Sequence, residues 1–320
     1  MTQSTKAEPE RLDPRKFQKP WVTADGQKRG VVALTELQTL WFNTGTLCNL
    51  MCQNCYIESS PRNDRLSYLT RDEVAAYLDE ITERQIPTKE IGFTGGEPFM
   101  NPQFIHILEE SLSRGFQTLV LTNAMRPMMK CAVNLLDLQD RYGDQLILRI
   151  SLDHYTRELF EIERGRNSWP PTIKGLTWLA QNGFKIRLAG RSCWGESEAT
   201  ARLGFAKFCA EHALPVDAQN PETVMIFPEM DEDLDVPEIT EHCWDILGIA
   251  PQDIMCATSR MVVKRKGEDR PVVMPCTLLP YQDNFVMGHT LADAEAAVPL
   301  NHPHCSRFCV LGGGSCSRAG

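Results

Sequence analysis

The sequence predicts an α/β protein: a mainly parallel sheet of six βα units, closed or partly closed, followed by a small cysteine-rich β-hairpin and loop domain. Short aliphatic or β-branched runs alternate with helix-patterned segments about six times between residues 37 and 230, the signature of parallel βαβ units. The repeat stops short of a complete eight-stranded barrel. After about Asp231 the texture changes, and six of the 12 cysteines lie between Cys243 and Cys316.

In chain order, residues 1–36 mix Pro9, Pro14, Pro20, Gly26 and Gly30 with charged residues and show no periodicity, which predicts an extended or partly ordered arm. Strands are expected at 37–43, 90–94, 117–122, 146–152, 185–189 and 223–227, each followed by turn or polar residues. Thr70 and Glu73 form a capping box, and Val74, Leu78 and Ile81 recur at helical spacing behind it. Further helices are expected at 101–114, 128–141, 172–182 and 196–212. The core thus spans 37–230, with a linker helix and an auxiliary domain over 231–320. In that auxiliary region 261–274 reads as a hairpin turning at Gly267-Glu268-Asp269. The last dozen residues are rich in glycine and cysteine with little to bury, so bound metal rather than an apolar core is expected to hold this part together.

The formal charge of -9 argues against a nucleic-acid binder that relies on a basic face. No apolar run approaches the ~18 residues of a membrane span, and residues 1–20 carry no apolar signal region. A cytoplasmic protein with neither nucleic-acid nor membrane partners is expected. Twelve cysteines in such a chain point to metal or redox chemistry rather than disulfides.

The first cysteines stand directly after the first strand, in Cys48-Asn49-Leu50-Met51-Cys52-Gln53-Asn54-Cys55-Tyr56. Three thiols on one loop can converge on a single centre, and three ligands rather than four leave a position open for chemistry. The Cys52–Cys55 pair alone could be a thioredoxin-like couple, but it does not open a helix in a suitable βαβ setting. This spacing resembles the C-x3-C-x2-C hallmark of the radical S-adenosylmethionine (SAM) superfamily, found after the first strand of a partial (β/α)6 barrel. The resemblance implies that Cys48, Cys52 and Cys55 ligate a [4Fe-4S] cluster whose open iron chelates the methionine moiety of SAM. Reductive cleavage to a 5'-deoxyadenosyl radical follows from it. In the family the residue before the last cysteine is often aromatic and helps hold the adenine. Here it is Asn54, with Tyr56 following.

At the end of the second strand, Gly95-Gly96-Glu97-Pro98 combines paired glycines, which let backbone approach a ligand, with a carboxylate able to accept from an ammonium. It resembles the family's GGEP motif, which binds the amino group of SAM. At later strand ends Thr122-Asn123 resembles a Thr-Asn-Gly element with Ala124 in place of the glycine. Ser151-Leu152-Asp153 resembles a Ser-x-Asp element, and Arg191 could meet the SAM carboxylate. An ordinary polar loop role is the alternative for Thr122, Asn123, Ser151, Asp153 and Arg191. His154, Tyr155 and Arg164 lie near in sequence without an assignable role. Cys131 and Cys209 read as small core residues, and Cys193 stands near a strand end.

The C-terminal set is Cys256, Cys276, Cys305, Cys309 and Cys316, with Cys243 upstream. The last three sit in a loop with Gly312, Gly313 and Gly314. A zinc knuckle is the structural alternative. The region resembles the SPASM and twitch auxiliary-cluster domains, in which cysteines flank a hairpin as Cys256 and Cys276 flank Gly267. Met287-Gly288-His289-Thr290-Leu291 echoes the stretch that follows. The resemblance and the cysteine count imply one auxiliary [4Fe-4S] cluster held by four of the five cysteines, with an open iron that has fewer protein ligands as the alternative.

The expected activity is that of a radical SAM enzyme acting on a peptide or a small molecule, as a maturase or an oxidoreductase. A flavodoxin or ferredoxin-type protein is the expected electron donor, and a basic patch at Lys264–Lys266 offers it a docking point. An iron–sulfur carrier or a zinc-stabilised binding protein would explain the cysteines but not the Gly-Gly-Glu-Pro turn.

Overall fold

The computed structural model describes residues 10–316, so the first nine residues of the predicted arm lie outside the described residues. Strand propensity and burial agree closely in the sheet. It runs β7(Val224–Phe227), β6(Lys185–Arg191), β5(Leu146–Ser151), β4(Gln117–Thr122), β3(Glu90–Thr94), β2(Thr39–Asn43), β8(Ser259–Val263) and β9(Val272–Met274). Every neighbouring pair from β7 to β8 is parallel, with Thr39 opposite Glu90 and Asn43 opposite Thr94 in the first of them; only β8–β9 is antiparallel. The loops that follow β2 to β7 therefore open at one end of the sheet, where functional groups gather in such folds.

The crossover helices are α1(Arg71–Glu83), α2(Phe104–Ser113), α3(Arg126–Lys130), α4(Ala132–Tyr142), α5(Arg157–Arg164), α6(Trp169–Gln181) and α7(Glu198–Glu211). The capping box at Thr70 and Glu73 is formed in both directions. The helix expected over 128–141 is broken at Cys131 into α3 and α4. A short α8(Cys243–Leu247) follows the sheet.

Alternate residues of each strand separate two cores, as the period of two requires. Leu40, Phe42, Ile91, Phe93, Val120, Leu148 and Ile150 pack with the helices. Trp41, Leu119 and Ile147 face the other way and pack with Met261, Met274, Phe308 and the cysteines at 256, 276, 305 and 316. This corrects one expectation: the C-terminal region has an apolar core, because the inner face of the sheet supplies it. The hairpin is also not separate, since β8 hydrogen-bonds alongside β2.

Residues 10–36 are tied down rather than loosely extended. β1(Val31–Val32) pairs with β10(Val298–Pro299). Arg29 is fully buried, ion-paired with Glu238 and bonded to the carbonyls of Lys19, Val22 and Leu300. No described helix is long and apolar enough to cross a membrane.

Candidate functional site

Two motifs meet at the end of β2 because two glycines permit it. Gly95 has a φ of 139°, and a Cβ there would stand 2.5 Å from the Gly45 carbonyl oxygen; one on Gly96 would stand 2.2 Å from that of Leu47. With no Cβ in the way, Gly96 N–H donates to Gly45 (2.8 Å) and Glu97 N–H to Leu47 (3.1 Å). The glycine turn is thereby laid directly against the chain entering the cysteine loop. The sequence suggested close approach to a ligand; the close approach is to residues 45–47, while Gly95 and Gly96 also line a cavity.

That cavity, of about 150 Å³, is lined by Cys48, Cys52 and Cys55, by Asn54 and Tyr56, and by Thr122, Asn123, Ser151, Asp153 and Arg191. Most residues singled out from the sequence are thus brought together. Pro98 is buried and opens the short 3₁₀ turn over Pro98–Met100, off the cavity wall. Glu97 lies fully buried beneath the wall and accepts from Thr122 Oγ1 (2.8 Å), Asn123 N–H (2.9 Å) and Phe99 N–H (3.3 Å). One of its roughly four acceptor directions is left for a cation. Burial pushes its carboxyl up to about 7 despite those donors.

Thr122 and Asn123 thus act partly through Glu97, and Asn123 Nδ2 also donates to Asn49 within the cysteine loop (2.9 Å). Ala124 takes a φ of 57°, the left-handed conformation for which glycine is the usual residue.

The thiols are soft donors suited to iron–sulfur ligation. Cys48 is buried, while Cys52 and Cys55 are half-buried. Burial raises the Cys48 thiol to about 12, opposed by the Leu50 N–H, and the Cys52 thiol to about 11, opposed by the nearby Arg164. Among the described residues only Glu232, His302 and His304 bring three ligand atoms within 4.8 Å of one another.

The C-terminal cysteines also converge. Burial raises Cys276 to about 12, helped first by Cys256 and also by Cys316, and raises Cys309 well above the usual thiol range, helped by Cys305, Cys276, Cys256 and Cys316. Cys305 and Cys309 lie in a π-helical turn over Cys305–Leu311, not in an open loop. Cys243 stands apart, its sulfur beside Thr240. Tyr56 lies between the two cysteine groups: burial raises its phenol, and Cys316 and Cys55 add to the rise.

Two residues with no role assigned from the sequence prove central. Glu163 and Arg164 end α5 and line the cavity. Arg164 pairs with Asp153, and burial opposes its charge while Asp153 and Cys52 support it. The available signal was a carboxylate on the buried face of a short helix, since Phe160 and Glu163 share that face. Arg191 is engaged with Asn54 and Glu163. His154 and Tyr155 turn away to share Glu196. The supposed basic patch is neutralised: Lys264, Arg265 and Lys266 pair with Glu73, Asp283 and Asp64.

Comparison with known proteins agrees with this geometry. A family model described as the radical SAM superfamily matches residues 42–192. The bacteriocin subtilosin biosynthesis protein AlbA of Bacillus subtilis (strain 168) is 34% identical over 143 residues, covering 44% of this chain and 30% of that protein. The mycofactocin maturase MftC of Mycobacterium tuberculosis (strain H37Rv) is 30% identical over 137 residues, covering 43% and 33%. The matches thus span about a third of each curated relative. In fold, the chain resembles Streptococcus suis SuiB bound to precursor peptide SuiA, with a TM-score of 0.58 at 13% identity over 80% of this chain and 63% of that one. It also resembles anSMEcpe with bound AdoMet, with a TM-score of 0.55 at 14% identity over 80% of this chain and 79% of that one. A cysteine loop after the first crossover strand, the glycine turn built against it and the matched stretch carry one conclusion: residues 42–192 form a radical SAM domain.

Proposed function

We propose that this chain is a radical SAM maturase acting on a peptide, with Cys48, Cys52 and Cys55 holding the [4Fe-4S] cluster of its superfamily and SAM bound in the cavity beside them. When bound, cluster and SAM together supply a 5'-deoxyadenosyl radical that takes a hydrogen atom from the substrate. The single observation that carries the reading is the convergence of the three thiols, Gly95, Gly96 and the strand-end residues on one cavity.

The residues divide the work by chemistry. Glu97, with one acceptor direction left, receives the ammonium of SAM, while Thr122 and Asn123 keep its carboxylate oriented. Arg164 is a buried cation on the cavity wall whose charge acts on Cys52 and Cys48, and it meets the SAM carboxylate, with Ser151 and Asp153 on the same wall. Arg191 is tied to Asn54 and so shapes the wall instead. Four of Cys256, Cys276, Cys305, Cys309 and Cys316 hold an auxiliary [4Fe-4S] cluster behind Tyr56. The peptide assignment rests on the relatives, which include a bacteriocin biosynthesis protein, a mycofactocin maturase and a structure holding a precursor peptide. The electron donor is a flavodoxin or ferredoxin-type protein docking elsewhere than at the neutralised Lys264–Lys266 segment.

Anaerobic reconstitution with iron and sulfide, followed by dithionite and SAM, tests this. Iron uptake and formation of 5'-deoxyadenosine are expected, and their absence from a folded, reconstituted chain refutes the proposal.

A further inference from the structure

Position 54, next to the last cysteine of the loop, has no aromatic ring to anchor it, yet the residue is held on three sides. Glu163, itself 3% exposed, accepts the Asn54 N–H (3.0 Å) on one carboxylate oxygen and the Asn54 side-chain amide (2.8 Å) on the other. Its backbone carbonyl takes the N–H of Gln53 at 2.9 Å. Arg191 donates through Nη1 to the Asn54 carbonyl at 3.0 Å and to Glu163 at 3.2 Å. One buried ion pair therefore binds the N–H, the carbonyl and the side chain of a single loop residue.

The pair comes from two places far along the chain. Glu163 ends α5 and Arg191 ends β6, whereas Asn54 belongs to the loop after β2, which three intervening strands separate from β6 in the sheet. The contact therefore spans the mouth of a sheet that does not close on itself through hydrogen bonds. Asn54 and Arg191 also stand on the wall shared by the cavity beside the thiols and an outer cleft of about 360 Å³. A buried ion pair is a weak source of stability compared with packed apolar side chains, but it fixes geometry sharply because its hydrogen bonds are charge-assisted and directional.

We infer that Glu163 and Arg191 are positioning residues: acting through Asn54, they fix the Cys52–Cys55 span and the cavity wall it forms. This rests on the function proposed above, since it assigns the pair to the geometry of the cluster loop and its SAM pocket.

The test uses the full chain in two states. Without cluster, hydrogen exchange is measured over residues 48–57. Glu163→Gln keeps the volume but turns one acceptor into a donor facing Asn54, and exchange at Gln53 and Asn54 is expected to rise about tenfold, the equivalent of one hydrogen bond of ordinary net strength. Exchange in β3 and β4 is expected to stay at its wild-type rate. After anaerobic reconstitution, Glu163→Gln is expected to retain its iron, to bind SAM about tenfold more weakly and to lose the SAM-dependent change in the electron paramagnetic resonance spectrum of the reduced protein. If Glu163→Gln loses protection in β3 and β4 as well, Arg191→Lys decides. It keeps the charge while losing the fork, and an intermediate change confined to residues 53–55 supports the inference, whereas wild-type exchange there overturns it. Wild-type exchange in Glu163→Gln, or a loosened loop with wild-type SAM affinity and spectrum, overturns it too. A wild-type chain that takes up no iron sinks the proposed function while the exchange result still stands; wild-type cleavage of SAM with unaltered exchange in Glu163→Gln sinks the positioning role alone.

Discussion

Replacing Gly96 by alanine tests how the two motifs are joined. The added Cβ would lie 2.2 Å from the Leu47 carbonyl oxygen and 2.7 Å from that of Thr46, where ordinary contact begins at 3.4 Å. Both obstacles are main chain, so no side chain can rotate aside, and one backbone must retreat by about 1 Å. Overpacking of this kind costs about 1–3 kcal/mol, and the rigid neighbours place Gly96→Ala at the upper end. For 320 residues the unfolding entropy is on the order of 0.7 kcal/mol per kelvin, so about 3 kcal/mol lowers Tm by about 4 °C. The functional loss is expected to be larger than the stability loss. Leu47 adjoins Cys48, and a displacement of about 1 Å at a reacting centre costs on the order of a hundredfold in rate. Gly115→Ala is the control: its φ is 86° but nothing lies within 4 Å of the added Cβ, so it carries only backbone strain of about 1–2 kcal/mol and keeps full activity. Calorimetry, iron content and 5'-deoxyadenosine yield are measured on all three proteins. A Gly96→Ala chain with wild-type Tm and undiminished 5'-deoxyadenosine would refute the reasoning.

Cys52→Ala is expected to abolish SAM cleavage and remove one cluster's worth of iron, whereas Cys243→Ala, whose sulfur stands apart beside Thr240, is expected to leave the iron content unchanged. The Glu97 carboxyl, raised by burial from 4.5 to about 7, holds a proton in the folded chain that the unfolded chain has already lost between those values. Its contribution to stability is therefore complete below pH 4.5 and lost as pH rises through 7. An ammonium favours the ionised form, so SAM binding is expected to tighten from pH 6 to pH 8 with release of a proton near neutrality, a trend that calorimetry should find absent in Glu97→Gln. Arg149, buried on β5, donates to the Cys316 carbonyl at 3.0 Å. Arg149→Met leaves that acceptor unsatisfied at a cost of about 1–3 kcal/mol, and iron analysis of the Cys52→Ala background should show preferential loss from the C-terminal cysteines.

Local patterns were readable because they are set by near neighbours. The strands at 90–94 and 117–122 match the observed limits, and the box at Thr70 and Glu73 forms as its spacing demands. The break at Cys131 was not readable, since residues 128–141 are periodic throughout. Glu163 escaped notice for a different reason. A carboxylate in a short charged helix reads as solvated, and only the arrival of Asn54 and Arg191 from other units explains its burial. The run at Lys264–Lys266 misled in the opposite sense: three cations in sequence look like a patch until Glu73, Asp283 and Asp64 are seen opposite them.

By itself the sequence determined the alternation of strand and helix and the placing of the cysteines and glycines at strand ends. These follow from periodicity and spacing, which act over a few residues. Tertiary structure decided what those residues touch. It turned the Gly95-Gly96 pair into the seat of the cysteine loop and set β8 beside β2. It also gave the C-terminal cysteines an apolar floor from the inner face of the sheet. Contacts of that range depend on how the sheet curves and which loops meet over its open end, and no local pattern encodes that geometry.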